Sequence, residues 1–371
     1  MAAKEKNLGA SKQAYANGLI NIYRDYQDRM LKWGSRGERA ELSPAVVLEA
    51  PMGQRHNPDS VLGTLNLHRK PDLSDIQIME CERVVKQLVS EGKKVENKLT
   101  YVMDSIDLSD SLKINCAIGT YFDMIGSCVS IQNEFYNHST VATNLGELPL
   151  RERIHARNPD PILNGSARSA AIALSMLIVH QDQDGTYKYF IRRRSNKVAT
   201  HAGLLHVMPS GMFQPQFELD DLRADFTIVQ QAKLEYVQEF FGINDEKKFN
   251  LSDMSSVPEV GYLENLLEKG SAQLMLTGIA IALENLRPEI CAVLLIHDKK
   301  WIQTVKEGTE SHKKMKMNWE FEQKIPFDGK GEIGINTPLI AGLGHSTDVV
   351  PVGAAAIKMG LRAVAEELKI V

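Results

Sequence analysis

The chain predicts an α/β fold: a layered domain over residues 169–371, preceded by a separate α+β region over 1–150. Three observations predict it. A buried-strand pattern with a hairpin partner opens the second half. A helix bearing paired acids follows. Strand and helix signals then alternate to the C-terminus.

In the first half, the apolar spacing of Ile20, Ile22, Tyr23, Tyr26 and Met30 predicts a helix over 11–32. Proline and glycine break the pattern over 44–58. A second helix runs from about 72 to Gly92, with Leu73, Ile76, Ile78 and Met79, then Val84, Val85, Leu88 and Val89. Strand-like and mixed segments fill 98–135. No glycine-rich phosphate loop, heptad or internal repeat is found before 150. Residues 151–168 open RERIHARNPDPILNGS, polar with two prolines and a glycine, which predicts a linker or an arm over the next domain.

From Ser169 the signals sharpen. SAAIALSMLIVH predicts a buried strand, QDQDGT a turn, and 187–193 the hairpin partner, since Tyr187, Tyr189 and Ile191 alternate. After a glycine- and proline-bearing loop, a helix is predicted over 227–241 with Gly242 as its C-cap. Val229, Ala232, Tyr236, Val237 and Phe240 form its apolar stripe, and Glu235 and Glu239 fall beside it. A further helix is predicted over 261–286, a strand from RPEICAVLLIHD, another over 319–325, and a closing helix over 352–368.

The 371 residues suffice for two ordinary domains, and 43% hydrophobic with 24% charged residues is ordinary for a soluble globular chain. A net charge of −4 and a pI near 6.2 argue against nucleic acid as the partner. Cys81, Cys116, Cys128 and Cys291 form no C-x-x-C pair and have no histidine at zinc-ligand spacing, so they read as reduced thiols. The polar N-terminus has no signal-peptide core, and the longest apolar runs, 170–179 and 290–296, are too short to span a bilayer. These features predict a cytoplasmic protein without a membrane segment. Whether it forms a homodimer stays open.

The chemistry concentrates in 201–243. HAGLLHVMPSGMFQPQ leads through an acidic insert to QAKLEYVQEFFGI. Glu235 and Glu239, four residues apart, share one helix face with Gln238 beside them. Paired carboxylates repel unless a cation lies between them. Hard oxygen ligands suit Mg²⁺ (or Mn²⁺), which also binds phosphate oxygens. The competing reading is a solvated helix face.

Strand, R-R-S, loop, P-S-G, and a helix with E-x-x-x-E-x-x-G together resemble the Nudix hydrolase family, over about 165–365. The RPEI strand entry and the P-x-G-A-A-A-I helix also resemble one branch of it. The resemblance implies a Nudix-like α/β/α sandwich with a mixed sheet. It also implies metal-activated attack of water on a nucleoside diphosphate derivative. Carried over, Glu235 and Glu239 match the first and last helix glutamates and metal ligands, Gly242 the closing glycine, and Gly211 the opening one. Glu218 aligns loosely with the middle glutamate. Two positions depart: Leu234 stands where the family has an arginine, and Gln238 where it has a glutamate. Gln238 remains a neutral ligand at most.

Around this core, alternation puts Arg192 and Arg194 on one side and Arg193 on the other, and the resemblance, through its R-R-S position, makes Arg194 the candidate phosphate clamp. Ser210 and Gly211 offer backbone N–H groups to an anion. His206 is a candidate substrate contact, as is His201, against the alternative of a structural histidine. Glu284 and Glu289 are candidate bases against plain surface charge, and His345 lies in a glycine-bearing loop. Asp104, Asp107, Asp110 and Asp123 read as turn and cap residues. Two functions follow: a Mg²⁺-dependent Nudix-type hydrolase, or a catalytically weakened module that binds a nucleotide-like small molecule or serves as a protein scaffold.

Overall fold

The computed structural model describes residues 12–33, 41–92, 95–194, 201, 203–216, 222–243, 251–308, 315, 332–334 and 346–369. They form a mixed α/β architecture. In the first half come α1 (Lys12–Ile22), β1 (Met30–Trp33), β2 (Glu41–Glu49), β3 (Leu62–Asn66), α2 (Asp75–Ser90), β4 (Leu99–Asp107) and β5 (Lys113–Thr120). Three helices follow: α3 (Tyr121–Met124), α4 (Ser130–Asn137) and α5 (Pro149–Arg157). The second half holds β6 (Ala173–Gln181), β7 (Tyr187–Arg193), β8 (Leu205–Val207), β9 (Ser210–Met212), α6 (Ile228–Glu235), α7 (Pro258–Glu268), β10 (Ala272–Ala282) and β11 (Arg287–Ile296). The chain ends with α8 (Trp301–Glu307), β12 (Glu332–Gly334) and α9 (Pro351–Glu367).

A nine-stranded sheet runs β1-β2-β10-β11-β6-β7-β12, with β8 on β7 and β9 on β6. The β11–β6 pair is parallel, whereas β6–β7, β10–β11 and β2–β10 are antiparallel, so the sheet is mixed. Strand alternation sorts its core into two layers. Leu174, Met176 and Ile178 of β6 and Ile290, Ala292 and Leu294 of β11 join Ile228, Ala232 and Phe240 in one buried cluster. Leu177, Val179, Val293 and Leu295 face the other way, against Val352, Ala355, Ala356 and Met359 of α9. Each large aliphatic side chain so buried contributes roughly 1.5–3 kcal/mol.

The sheet crosses the middle of the sequence. β2 pairs with β10 through Leu48↔Ile279 and Val46↔Ile281, so residues from the first half extend the sheet of the second. The smaller sheet, β3-β5-β4, docks on the 163–172 segment. Met103 N–H donates to Ala170 O at 2.9 Å, Ile172 N–H to Tyr101 O at 2.9 Å and Ile106 N–H to Leu163 O at 2.7 Å. The segment expected to link two domains is thus hydrogen-bonded along β4.

Two arginines of that segment are buried and act as clamps. Arg151, 0% exposed, donates to Leu283 O at 2.7 Å and Tyr23 OH at 2.8 Å, and also to Glu284 O and Ile131 O. Arg168 donates to Leu286 O at 3.1 Å, Pro161 O at 2.5 Å and Asn164 O at 2.9 Å. Together they satisfy three carbonyls of the β10–β11 turn, where Leu286 sits at φ 57°. A guanidinium has enough fixed donors to do this, whereas an ammonium does not.

Two sequence expectations need correction, and a third becomes specific. The first helix ends at Ile22, and Met30–Trp33 is a strand after a short 3-10 turn. The helix expected over 261–286 is α7 followed by strand β10. β10 is buried on both faces, so it carries no polar period to separate it from a buried helix. The mixed region 98–135 resolves into two strands followed by helix. The strand expected over 319–325 lies outside the described residues. Among the described residues, no helix is long and apolar enough to cross a membrane.

Candidate functional site

The acid-bearing helix is anchored at its start. Thr227 caps it by accepting from Gln230 N–H at 3.2 Å, and Asp59 Oδ1 accepts from Ile228 N–H at 2.5 Å. Negative charge suits that end of a helix. After Glu235 the helix widens into a π turn, Tyr236–Phe240, and Gly242 at φ 69° follows it. Single π turns often mark sites where a helix re-aims side chains. Here Tyr236, Phe240 and Phe241 stack among Phe190 and Trp301, which fixes the turn from below.

Glu235 is 5% exposed, deeper than a side chain beside the apolar stripe was expected to lie. Gln231 Nε2 donates to its Oε1 at 2.7 Å. Gly211 lies directly beneath it: a Cβ there would stand 2.1–2.2 Å from the carboxyl atoms. Burial pushes the Glu235 carboxyl up to about 8, and the neighbouring Glu239 pushes the same way. The Gln231 hydrogen bond and the Arg192 charge pull against this without cancelling it.

Glu239 is half-buried and paired. Arg192 Nη1 of β7 stands 2.6 Å from Glu239 Oε2, with side-chain exposures of 9% and 33%. Sequence alternation put Arg192 and Arg194 on the same side, and it is Arg192 that reaches the acids. Arg194 is half-buried, with its N–H on Leu204 O at 2.8 Å and its O accepting from Gly203 N–H at 3.1 Å. Its charge acts on His206. Gln238 is half-buried beside the pair.

The structure therefore brings Glu235, Glu239 and Gly211 together, with Gln231 and Arg192 added. Ser210, next to Gly211 in β9, faces the opposite layer. Its Oγ lies 3.1 Å from Ser175 Oγ, which donates to Glu289 Oε2 at 2.5 Å. Ser175 carried no sequence signal, because a serine in a buried strand reads as a filler. Gln231 carried one: its spacing of four from Glu235 is that of a helical hydrogen-bonded pair.

His206 is buried at 3% exposure, and burial, then Arg194, Arg192 and His201, drive its imidazole far below its usual range toward the neutral form. Glu284, expected at the surface, is 2% exposed. It accepts from Tyr136 OH at 2.7 Å and pairs with His201 Nε2 at 2.6 Å. Burial would raise Glu284, but His201, Tyr136 and Arg151 hold it below the usual carboxylate range. Glu218 and His345 lie outside the described residues.

The donor set does not fit a divalent metal in this arrangement. A hard dication needs anionic oxygens. Burial and Glu239 push the Glu235 carboxyl up to about 8, Glu239 is paired with Arg192, and Gln238 brings no charge. Among the described residues, no group of three or more histidine, cysteine, aspartate or glutamate side chains converges as a metal site. What the arrangement presents is the Arg192 guanidinium near a buried carboxyl held above its usual range, over the bare backbone of Gly211. No protein-family model matches the chain, and no curated protein matches it.

Proposed function

We propose that residues 169–371 are a Nudix-like α/β/α sandwich that binds a nucleotide-like small molecule and does not hydrolyse it through a metal. The mixed sheet with α6 on one face and α9 on the other supports the fold reading. The observation that carries the function is the Arg192–Glu239 ion pair at 2.6 Å, which supplies from within the chain the positive charge that paired acids require. The unpaired thiols of Cys81, Cys116, Cys128 and Cys291 support a reducing, cytoplasmic setting.

The test incubates the full chain with Mg²⁺ or Mn²⁺ and a panel of nucleoside diphosphate derivatives, following phosphate products and thermal unfolding together. A rise in Tm without product is expected. Turnover that disappears in Glu239→Gln overturns this reading in favour of the hydrolase. One observation favours that second reading: Glu235, pushed up to about 8, is an acid that can exchange its proton near neutral pH. Neither product nor a change in Tm leaves a scaffold.

A further inference from the structure

Strand β8 is short, but it holds two features together. Along one edge it pairs with β7, setting His206 opposite Arg192 and Leu205 opposite Arg193. Along the other, Leu205 bridges to Val349 and accepts Val350 N–H at 2.9 Å, which delivers the chain into α9. The imidazole of His206 consequently rests on the first turn of that helix. A Cβ on Gly353 would lie 3.0 Å from His206 Nδ1 and 3.2 Å from Cγ, so a larger residue there would push the imidazole by a few tenths of an ångström.

That helix end is rich in donors. Its N-cap is Val350, which has no side-chain oxygen to cap with, and Pro351 opens the helix without an N–H. Ala354 N–H is bonded to Val350 O at 2.8 Å, which leaves the N–H groups of Val352 and Gly353 outside the helical ladder. His206 Nδ1 is buried and has no hydrogen-bond partner among the described residues. A buried nitrogen of this kind is costly if nothing meets it. Arg194 is the cation that acts on it most strongly. An unmet imidazole nitrogen, spare helix N–H groups and the positive end of a seventeen-residue helix meet at one corner, and the Arg194 charge acts on the imidazole there.

We propose that the N-terminal turn of α9, with His206 and Arg194, binds a phosphate group of the ligand. The proposal rests on the ligand-binding reading above and locates the anionic part of that ligand at His206, which β8 sets opposite Arg192, the partner of Glu239. Phosphate oxygens accept from Val352 and Gly353 N–H and from the imidazole, while Arg194 supplies the counter-charge.

Inorganic pyrophosphate is the probe, titrated into the full chain by calorimetry and by thermal unfolding at two salt concentrations. Saturable binding that weakens with salt is expected, with affinity at least tenfold lower in Arg194→Met and in Gly353→Ala. Arg194→Met removes a half-buried charge and keeps the protein testable should Gly353→Ala fold poorly. Lys113→Met, at the exposed start of β5, should leave pyrophosphate affinity unchanged. Absence of saturable binding, or binding equal in the wild type and Arg194→Met, overturns the proposal. If pyrophosphate binds as expected but no nucleoside derivative does, the anion site stands and the nucleotide reading falls. If a derivative binds equally well to Arg194→Met and Gly353→Ala, the reverse holds.

Discussion

Glu235 makes the stability of this protein depend on pH in a direction unusual for a carboxylate. Its ordinary value of 4.5 is pushed up to about 8 in the folded chain, by burial first and Glu239 second. The folded state therefore holds the proton more tightly than the unfolded chain. Below about pH 4.5 both states are protonated and the group is neutral in its effect. As pH rises above that, the unfolded chain releases its proton and the folded chain does not, so stability falls. The fall ends near pH 8, where the folded carboxyl ionises too. Each pH unit in the window is worth about 1.4 kcal/mol, so the full loss is on the order of 5 kcal/mol. Glu235→Gln keeps the shape and the acceptor for Gln231 but cannot ionise. Urea unfolding of both proteins between pH 5 and 9 gives the readout as a difference, which cancels the other titrating groups. The wild type should lose stability relative to Glu235→Gln across pH 5–8 and run parallel to it above. Curves that stay parallel throughout would refute the argument, since the carboxyl would then be solvated.

Two further outcomes follow from the same geometry. Gly211→Ala places a methyl 2.1–2.2 Å from the Glu235 carboxyl atoms, an overlap of a kind that costs about 1–3 kcal/mol. In a Glu235→Ala background most of that cost should vanish, and a double-mutant cycle that shows no coupling rejects the contact. Arg151→Lys keeps the charge but cannot reach Leu283 O, Glu284 O, Ile131 O and Tyr23 OH together. Chemical denaturation should show it destabilised by roughly 3–5 kcal/mol, and a loss below about 1 kcal/mol would mean that solvent replaces the clamp.

The parts of the fold that were legible in the sequence are those whose signal is local. β7 was readable because Tyr187, Tyr189 and Ile191 alternate beside an Asp-Gly turn. The acid-bearing helix was readable because Ala232, Tyr236, Val237 and Phe240 recur at helical spacing and Gly242 ends the run. β10 was not, because Ala272–Ala282 is covered on both faces and its alanines, leucines and methionine suit a helix as well. Pairing β2 with β10 joins residues 45–49 to residues 278–282, and nothing in either segment names its partner. At the site, spacing correctly put both acids on one helix. It could not tell that burial would hold a proton on Glu235, nor choose between Arg192 and Arg194, since both share a parity. Ser175 meets Ser210 and Glu289 across sequence separations of 35 and 114, which only the folded sheet creates.

The network around Glu284 ties these levels together. Its carboxylate is bound on one side by Tyr136 of α4, from the first half, and on the other by His201, from the loop that runs into β8. Its carbonyl is held by Arg151 of α5. A buried carboxylate is stable only when its partners all stay in place, because losing one leaves charge without compensation in a medium of low polarity. Unfolding of the first-half helices therefore removes Tyr136 and Arg151 together and strands Glu284. His201 then loses its anchor, and with it the stretch that leads through Leu204 to His206. The first half thus meets the turn after β10 through named hydrogen bonds from Tyr136 and Arg151, and that turn in turn holds His201.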